Sequence, residues 1–263
     1  MAQKKPAKAK KKQGGRKGQG TGTQDDQRVL LYGAHAVRAA LSNDARRFHR
    51  IVATQNAASR FQELAESRGL AIEVVTPQDI SNLTGQDAVH QGIAALADPL
   101  DGGDIQDLSG TSLVVVLDQV TDPHNVGAII RSAVALGADA IVTTRRNTAR
   151  ETGLLAKTAS GGLDHLTVVT VGNLAQALTQ LTDTGFQVIG LDSEGEADLS
   201  CSFAYDKIAL VFGAEGAGLR RLTRERCERL ARLDMPGPIK SLNVSNAATL
   251  ALYMAKAHLD RPK

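Results

Sequence analysis

The residues best suited to chemistry lie near the C-terminus, in Val211-Phe212-Gly213-Ala214-Glu215-Gly216-Ala217-Gly218-Leu219. Three glycines and one carboxylate follow an apolar run over 208–212, and a helix is expected to open at Leu219-Arg220-Arg221-Leu222. A strand ending in a glycine loop ahead of a helix is where α/β proteins hold small ligands. Glycine lets the backbone approach the ligand and adopt positive φ. The order here is G-x-x-G-x-G, not the G-x-G-x-x-G of dinucleotide sites, and Arg221 stands where a further glycine would be wanted. The loop argues for a ligand and only weakly for NAD. Glu215 reads as a ligand contact or as a charge favouring the positive end of the following helix.

Two other segments carry similar signals. In Leu117-Asp118-Gln119-Val120-Thr121-Asp122-Pro123-His124-Asn125-Val126-Gly127-Ala128-Ile129-Ile130-Arg131 a strand ends, a turn follows at Asp122-Pro123, and a helix begins close to Asn125. Val126, Ile129, Ile130, Ala133 and Val134 form its apolar stripe, with Gly127 and Arg131 sharing a face beside it. The missing side chain at Gly127 is expected to leave room for a substrate over Arg131. Asn125 reads equally as the helix cap, and Arg131 as a solvated side chain. The third segment runs from Met235-Pro236-Gly237-Pro238 through Ser241-Leu242-Asn243-Val244-Ser245-Asn246 into a small-residue helix over 247–257. Ser241 and Asn243 alternate on its last extended piece, so both side chains are expected to point one way. Otherwise this is a plain helix entry capped by Ser245 or Asn246.

These segments need a frame, and the hydrophobic pattern supplies one. Residues 28–97 alternate helix signals at 34–41, 57–68 and 77–83 with strand signals at 50–53, 71–75 and 92–97, giving a small α/β unit. Asp98-Pro99-Leu100-Asp101-Gly102-Gly103-Asp104 marks a linker through 111. Residues 112–263 then carry continuous apolar runs at 113–117, 140–142, 166–169, 188–191 and 208–212, separated by helical patterns. Such runs suit strands covered on both faces, hence a mostly parallel sheet flanked by helices.

Composition narrows the setting. The chain has 263 residues, 42% of them hydrophobic but only 3% aromatic, so its core rests on Ala, Val, Leu and Ile. Cys201 and Cys227 give neither a disulfide framework nor a zinc motif, and no metal is expected. A reducing cytoplasm is the simplest compartment; no run is long enough to span a membrane and no secretory signal opens the chain. Residues 1–27 hold seven Lys and one Arg against two Asp, a net of +6 within an overall +3. This tail is expected to be disordered, as an arm for nucleic-acid phosphates or as a solubilising segment.

The ordered set D-x-x-x-D-P-x-N-x-G-x-x-x-R, F-G-x-E-G-x-G-L and S-L-N-V-S resembles the three motifs of the SpoU (TrmH-type) RNA ribose methyltransferases of the SPOUT class. Tyr32-Gly33-Ala34-His35-Ala36-Val37 and Ala88-Val89-His90-Gln91-Gly92-Ile93 are similar to the substrate-binding domain of one subfamily, which methylates a guanosine 2′-hydroxyl in 23S ribosomal RNA. The resemblance implies a deep trefoil knot, S-adenosylmethionine as cofactor, an RNA substrate and a homodimer. It implies catalytic roles for Asn125, Arg131, Glu215, Ser241 and Asn243, and backbone contacts to the cofactor at Gly213, Leu233 and Leu242. A guanidinium is a poor base, so Arg131 suits phosphate binding and alkoxide stabilisation better than proton removal. One departure stands out: the family has I-P-M-x-G where this chain has Leu233-Asp234-Met235-Pro236-Gly237. RNA contacts are expected from Arg38, Arg46, Arg47 and Arg50, four arginines within 13 positions. The rival readings are a transfer-RNA ribose methyltransferase, an inactive RNA-binding relative and a nicotinamide-dependent oxidoreductase.

Overall fold

The structure, a computed structural model, describes residues 28–145 and 151–262. The basic tail lies outside the described residues. The first unit contains β1 (Val29–Tyr32), α1 (Ala34–Ser42), β2 (Phe48–Ala53), α2 (Gln55–Glu66), β3 (Glu73–Val74), α3 (Pro77–Thr84) and β4 (Ile93–Ala97). They form a four-stranded sheet in the order β1-β4-β2-β3. Pro77 opens α3, and Thr76 and Asp79 cap it reciprocally. The run at 71–75 contributes only the two residues of β3, and β1 is a strand that the apolar pattern did not reveal.

The second unit contains β5 (Leu113–Asp118), α4 (Pro123–Ala135), β6 (Ala140–Thr144), α5 (Gly153–Thr158), β7 (Thr167–Val171), α6 (Leu174–Asp183), β8 (Gln187–Leu191), β9 (Ala197–Asp198), β10 (Ile208–Gly213), α7 (Arg221–Arg226), β11 (Arg229–Arg232) and α8 (Val244–Leu259). Its seven strands run in the order β7-β6-β5-β10-β8-β11-β9, every neighbouring pair parallel. Every residue of β5 is buried. Leu113, Val115 and Leu117 face the layer holding α4, α5 and α8; Val114 and Val116 face the layer with α6. That two-sided burial is why the strand is apolar at each position. The short β9 and β11 carry Asp and Arg at the sheet's edge, so no apolar run announced them.

The segment 98–111 is more than a tether. Ile105–Gly110 forms a 3-10 turn whose Ile105 and Leu108 are buried against α6, and Gly103 bridges to Val169 on β7. The two units also share one apolar core. A Cβ on Gly153 would lie 2.2 Å from the Leu30 carbonyl oxygen, and one on Gly161 would lie 2.5 Å from Ala39 Cβ.

This junction corrects one expectation. Arg46 is 1% exposed and is not a surface contact for RNA. Its Nε donates to Asp164 Oδ1 at 2.9 Å, and its Nη1 to Glu151 Oε1 at 2.6 Å and to the Asp98 carbonyl at 3.1 Å. Glu151 also accepts from Leu100 N, and Asp164 from Asn43. Burial works against the arginine's charge, and its carboxylate partners outweigh that effect, holding its pKa above the ordinary value. Arg46 is the interior bolt between the two units and the segment joining them.

Candidate active site

In an open parallel sheet the ligand crevice lies at the carboxyl ends of the strands, where successive connections leave in opposite directions. Here β5 and β10 are the central neighbours, ending side by side at Asp118 and Gly213. Gly213 must be glycine, because a Cβ there would meet the Gly218 carbonyl carbon at 2.2 Å and Leu219 N at 2.5 Å. The loop folds back on its own start, closed by an Ala214–Gly218 bridge, with Gly216 and Gly218 at φ +75° and +64°. Helix α7 opens at Arg221, two residues later than the sequence suggested.

The loop forms one wall of a cleft of about 720 Å³. Gly213, Glu215, Leu233, Ser241, Leu242 and Asn243 all line it. Asn243 is the hub. Its Nδ2 donates to Asn125 Oδ1 at 3.0 Å and to Glu215 Oε1 at 2.6 Å. Its Oδ1 accepts from the Ser245 backbone at 2.9 Å and the Ser245 hydroxyl at 2.6 Å. The Ser245 backbone N–H can only donate, so it fixes which end of the Asn243 amide faces the carboxylate. Residues from three segments, up to 118 positions apart, thus meet at one amide.

Several expectations need amendment. Asp122 caps α4 and Asn243 caps α8, so neither Asn125 nor Ser245 or Asn246 is a helix cap. Gly127 opens no space for a substrate: a Cβ would lie 2.6 Å from Thr158 Cβ, and the glycine instead lets α5 pack closely on α4. Arg131 is exposed on α4 and forms no bond to Asn125, Glu215 or Asn243. Ser241 lines the cleft without joining their hydrogen bonds. Among the remaining arginines, Arg38 covers the Phe61 ring at 4.8 Å, Arg50 is held by Glu73, and Arg47 is exposed.

The departure at Asp234 has a local reason. Its backbone N–H donates to Asp198 Oδ2 at 3.1 Å, and its carboxylate accepts from Arg232 Nε at 2.7 Å. Proline at this position has no N–H to give. The Ser200 hydroxyl and backbone N–H, then the Asp234 N–H and Arg232, keep the Asp198 carboxyl below its ordinary pKa. The loop after β11 is tied to β9 by this device.

Sequence reading passed over Asp118 as a partner. It is fully buried and accepts from Arg220 N at 3.0 Å and Arg220 Nε at 2.6 Å. The first segment therefore also grips the far end of the glycine loop. The D at the start of the first motif was the available signal; its partner 102 positions away was not.

Comparison with known proteins covers both units. The profile of the SpoU rRNA methylase family matches residues 112–253, and that of the RNA 2′-O ribose methyltransferase substrate-binding domain matches 30–102. The 23S rRNA (guanosine-2′-O-)-methyltransferase RlmB of Ralstonia nicotianae is 39% identical over 86% of this chain and 94% of its own. The Xylella fastidiosa protein of that name is 37% identical over 86% of this chain and 94% of its own. Among solved structures, the SpoU methyltransferase AviRb of Streptomyces viridochromogenes, in complex with AdoMet, shares the fold with a TM-score of 0.75. It has 23% identity and covers 89% of this chain and 91% of its own. With one profile spanning more than half its length and a second covering the unit before it, the chain belongs to the SpoU rRNA methylase family.

Proposed function

We propose that this protein transfers the methyl group of S-adenosylmethionine to the ribose 2′-hydroxyl of a guanosine in 23S ribosomal RNA. The observation that carries this reading is the meeting of Asn125, Glu215 and Asn243 beside the glycine-loop cleft.

The cleft suits the cofactor. Leu191, Leu233 and Leu242 offer apolar surface for an adenine ring, and the backbone of the Gly213 loop offers donors and acceptors. Asp192 and Glu194 on its wall are paired with Arg224, which leaves Glu215 as the carboxylate to face a cationic sulfonium or ammonium. When bound, S-adenosylmethionine supplies a methyl group on sulfonium sulfur, open to in-line displacement by the 2′-oxygen. The chain's own residues then align that oxygen and handle its proton. Asn243 holds the Glu215 carboxylate in place at the cleft, positioned to receive the hydroxyl proton. Asn125 keeps its amide nitrogen for the ribose or its phosphate, and Ser241 borders the same space. Arg131 binds the adjacent phosphate and stabilises the developing alkoxide.

We read the passage of the chain through β10, β11 and α8 as the family's trefoil knot. We read the assembly as a cytoplasmic homodimer, since Leu250 and Tyr253 on α8 are 48% and 65% exposed while the opposite face is buried. Among the described residues no helix is long and apolar enough to cross a membrane. Residues 28–97 present the RNA, with Arg47 exposed at the surface, Arg38 and Arg50 in their contacts with Phe61 and Glu73, and the tail over 1–27 as a basic arm. Residues 98–111 join them to the methyltransferase unit, 112–263.

Two measurements test this reading. Mapping 2′-O-methyl groups in cells lacking the protein should show one 23S guanosine unmarked, and the purified protein with cofactor should restore it. Loss confined to transfer RNA would overturn the substrate, and RNA binding without methyl transfer would indicate an inactive relative. Separately, Gly213→Ala should weaken S-adenosylmethionine binding by roughly tenfold or more, because backbone rather than a movable side chain occupies the new methyl's place. Calorimetry reads the loss directly.

A further inference from the structure

A second cleft, of about 980 Å³, opens on the same edge of the large sheet. It is lined by Thr144 at the end of β6, Gly172 and Asn173 after β7, and Arg145, Arg220 and Arg221. No carboxylate is among its lining residues, although Asp118 and Glu225 bond two of the arginines. We infer that this cleft is a phosphate-binding subsite for the RNA backbone next to the methylated nucleotide, built from Arg145, Arg220 and Arg221. The inference rests on the proposed RNA substrate.

Arg220 is the best prepared of the three. Asp118, fully buried, takes its backbone N–H and its Nε. The terminal nitrogens Nη1 and Nη2 make no hydrogen bond among the described residues, and the side chain is 43% exposed. A guanidinium gripped at Nε keeps the outer fork that matches a phosphate's two oxygens. Its rotamer is already fixed, so little side-chain entropy remains to be lost on binding. Arg221 is 77% exposed and holds only the solvated Glu225 one turn along α7, a pair weak enough to exchange for phosphate. Arg145 directly follows β6, and α6 begins at the cleft with Asn173 as its cap, adding the positive end of a ten-residue helix.

Position gives the cleft its meaning. Asp118 is the residue beside Gly213, and Arg220 leaves the same loop that carries Glu215. The cofactor cleft takes the ends of β8, β10 and β11; this cleft takes the ends of β6 and β7. Only β5 separates β6 from β10, a distance of roughly 10 Å. An RNA strand whose ribose reaches Glu215 can therefore lay a neighbouring phosphate on the arginines.

The test is an anisotropy titration of the full-length protein with a 23S fragment containing the target guanosine, repeated over a salt series. Arg145→Ala with Arg221→Ala should lower affinity about tenfold and flatten the slope of log K against log salt by about 1.4, the share of two single-strand phosphates. S-adenosylmethionine affinity should stay within twofold, showing an intact cofactor cleft. The paired change to Lys should keep most of the slope. Unchanged RNA affinity and slope in the Ala pair would overturn the subsite. So would loss of binding to inorganic phosphate alone with RNA binding intact, since the cleft would then serve a free anion. Failure of the unaltered protein to bind RNA would instead strike the proposed function.

Discussion

Asn243→Asp should cut turnover about a hundredfold while leaving the melting temperature almost unchanged. The replacement separates two jobs that one amide performs. Its Oδ1 caps α8 through Ser245, and aspartate is as good a cap as asparagine. Its Nδ2 donates to Asn125 and Glu215, and a carboxylate has nothing to donate. The new carboxylate would also stand where an amide now lies 2.6 Å from Glu215 Oε1. Two carboxylates that close share a proton, so the pair would take up a proton above the ordinary carboxylate range. The residual activity should therefore shift its acid limb to higher pH, because Glu215 would be free to accept the ribose proton only once that shared proton is lost. Asn243→Ala removes both jobs and should lose about 1 kcal/mol of helix capping as well. A variant Asn243→Asp with full turnover would leave the amide as a cap and nothing more.

The centre of the large sheet was legible because strands such as β5 and β10 are buried on both faces, and such strands cannot avoid being apolar at nearly every position. The runs at 113–117 and 208–212 became β5 and β10, the pair whose ends carry the site. The β11–β9 side was not legible for the same reason in reverse, whereas the opposite edge, β7, showed in the run at 166–169. Strand β11 reads Arg-Leu-Ala-Arg and β9 is two residues long, so neither has a pattern to detect. The glycine loop declared itself, but the identity of the required glycine did not: Gly213 is fixed by the return of Gly218, a contact made only in three dimensions. Gly127 misled for that reason too, since its bareness serves helix packing against Thr158 and not a substrate. In the site, the residue types of Asn125, Glu215 and Asn243 were visible one by one, whereas their meeting at one amide was not. Spacing along the chain says nothing about which of three loops supplies the hub.

The arginine cluster at 38–50 shows how composition can point the wrong way. Four basic residues in one stretch suggest a phosphate surface, yet Arg46 is sealed inside the junction between the two units. Arg46→Ala should therefore destabilise the protein by about 3–5 kcal/mol, because it strands Glu151 and Asp164 with no guanidinium between them. For a chain of this size that is a fall in melting temperature of about 10 °C. The loss comes from abandoned charge and not from the ion pair's own worth. Arg46→Met combined with Glu151→Gln and Asp164→Asn should consequently recover more than half of it. A solvated arginine that touches RNA would behave the opposite way: Arg46→Ala would leave the melting temperature alone and weaken RNA binding at every salt concentration. Thermal melts of the single and triple variants, set beside RNA titrations well below their transitions, separate the two. The same bonds hold Leu100 and the Asp98 carbonyl, so the single variant should also expose the 98–111 segment to protease before the sheet itself unfolds.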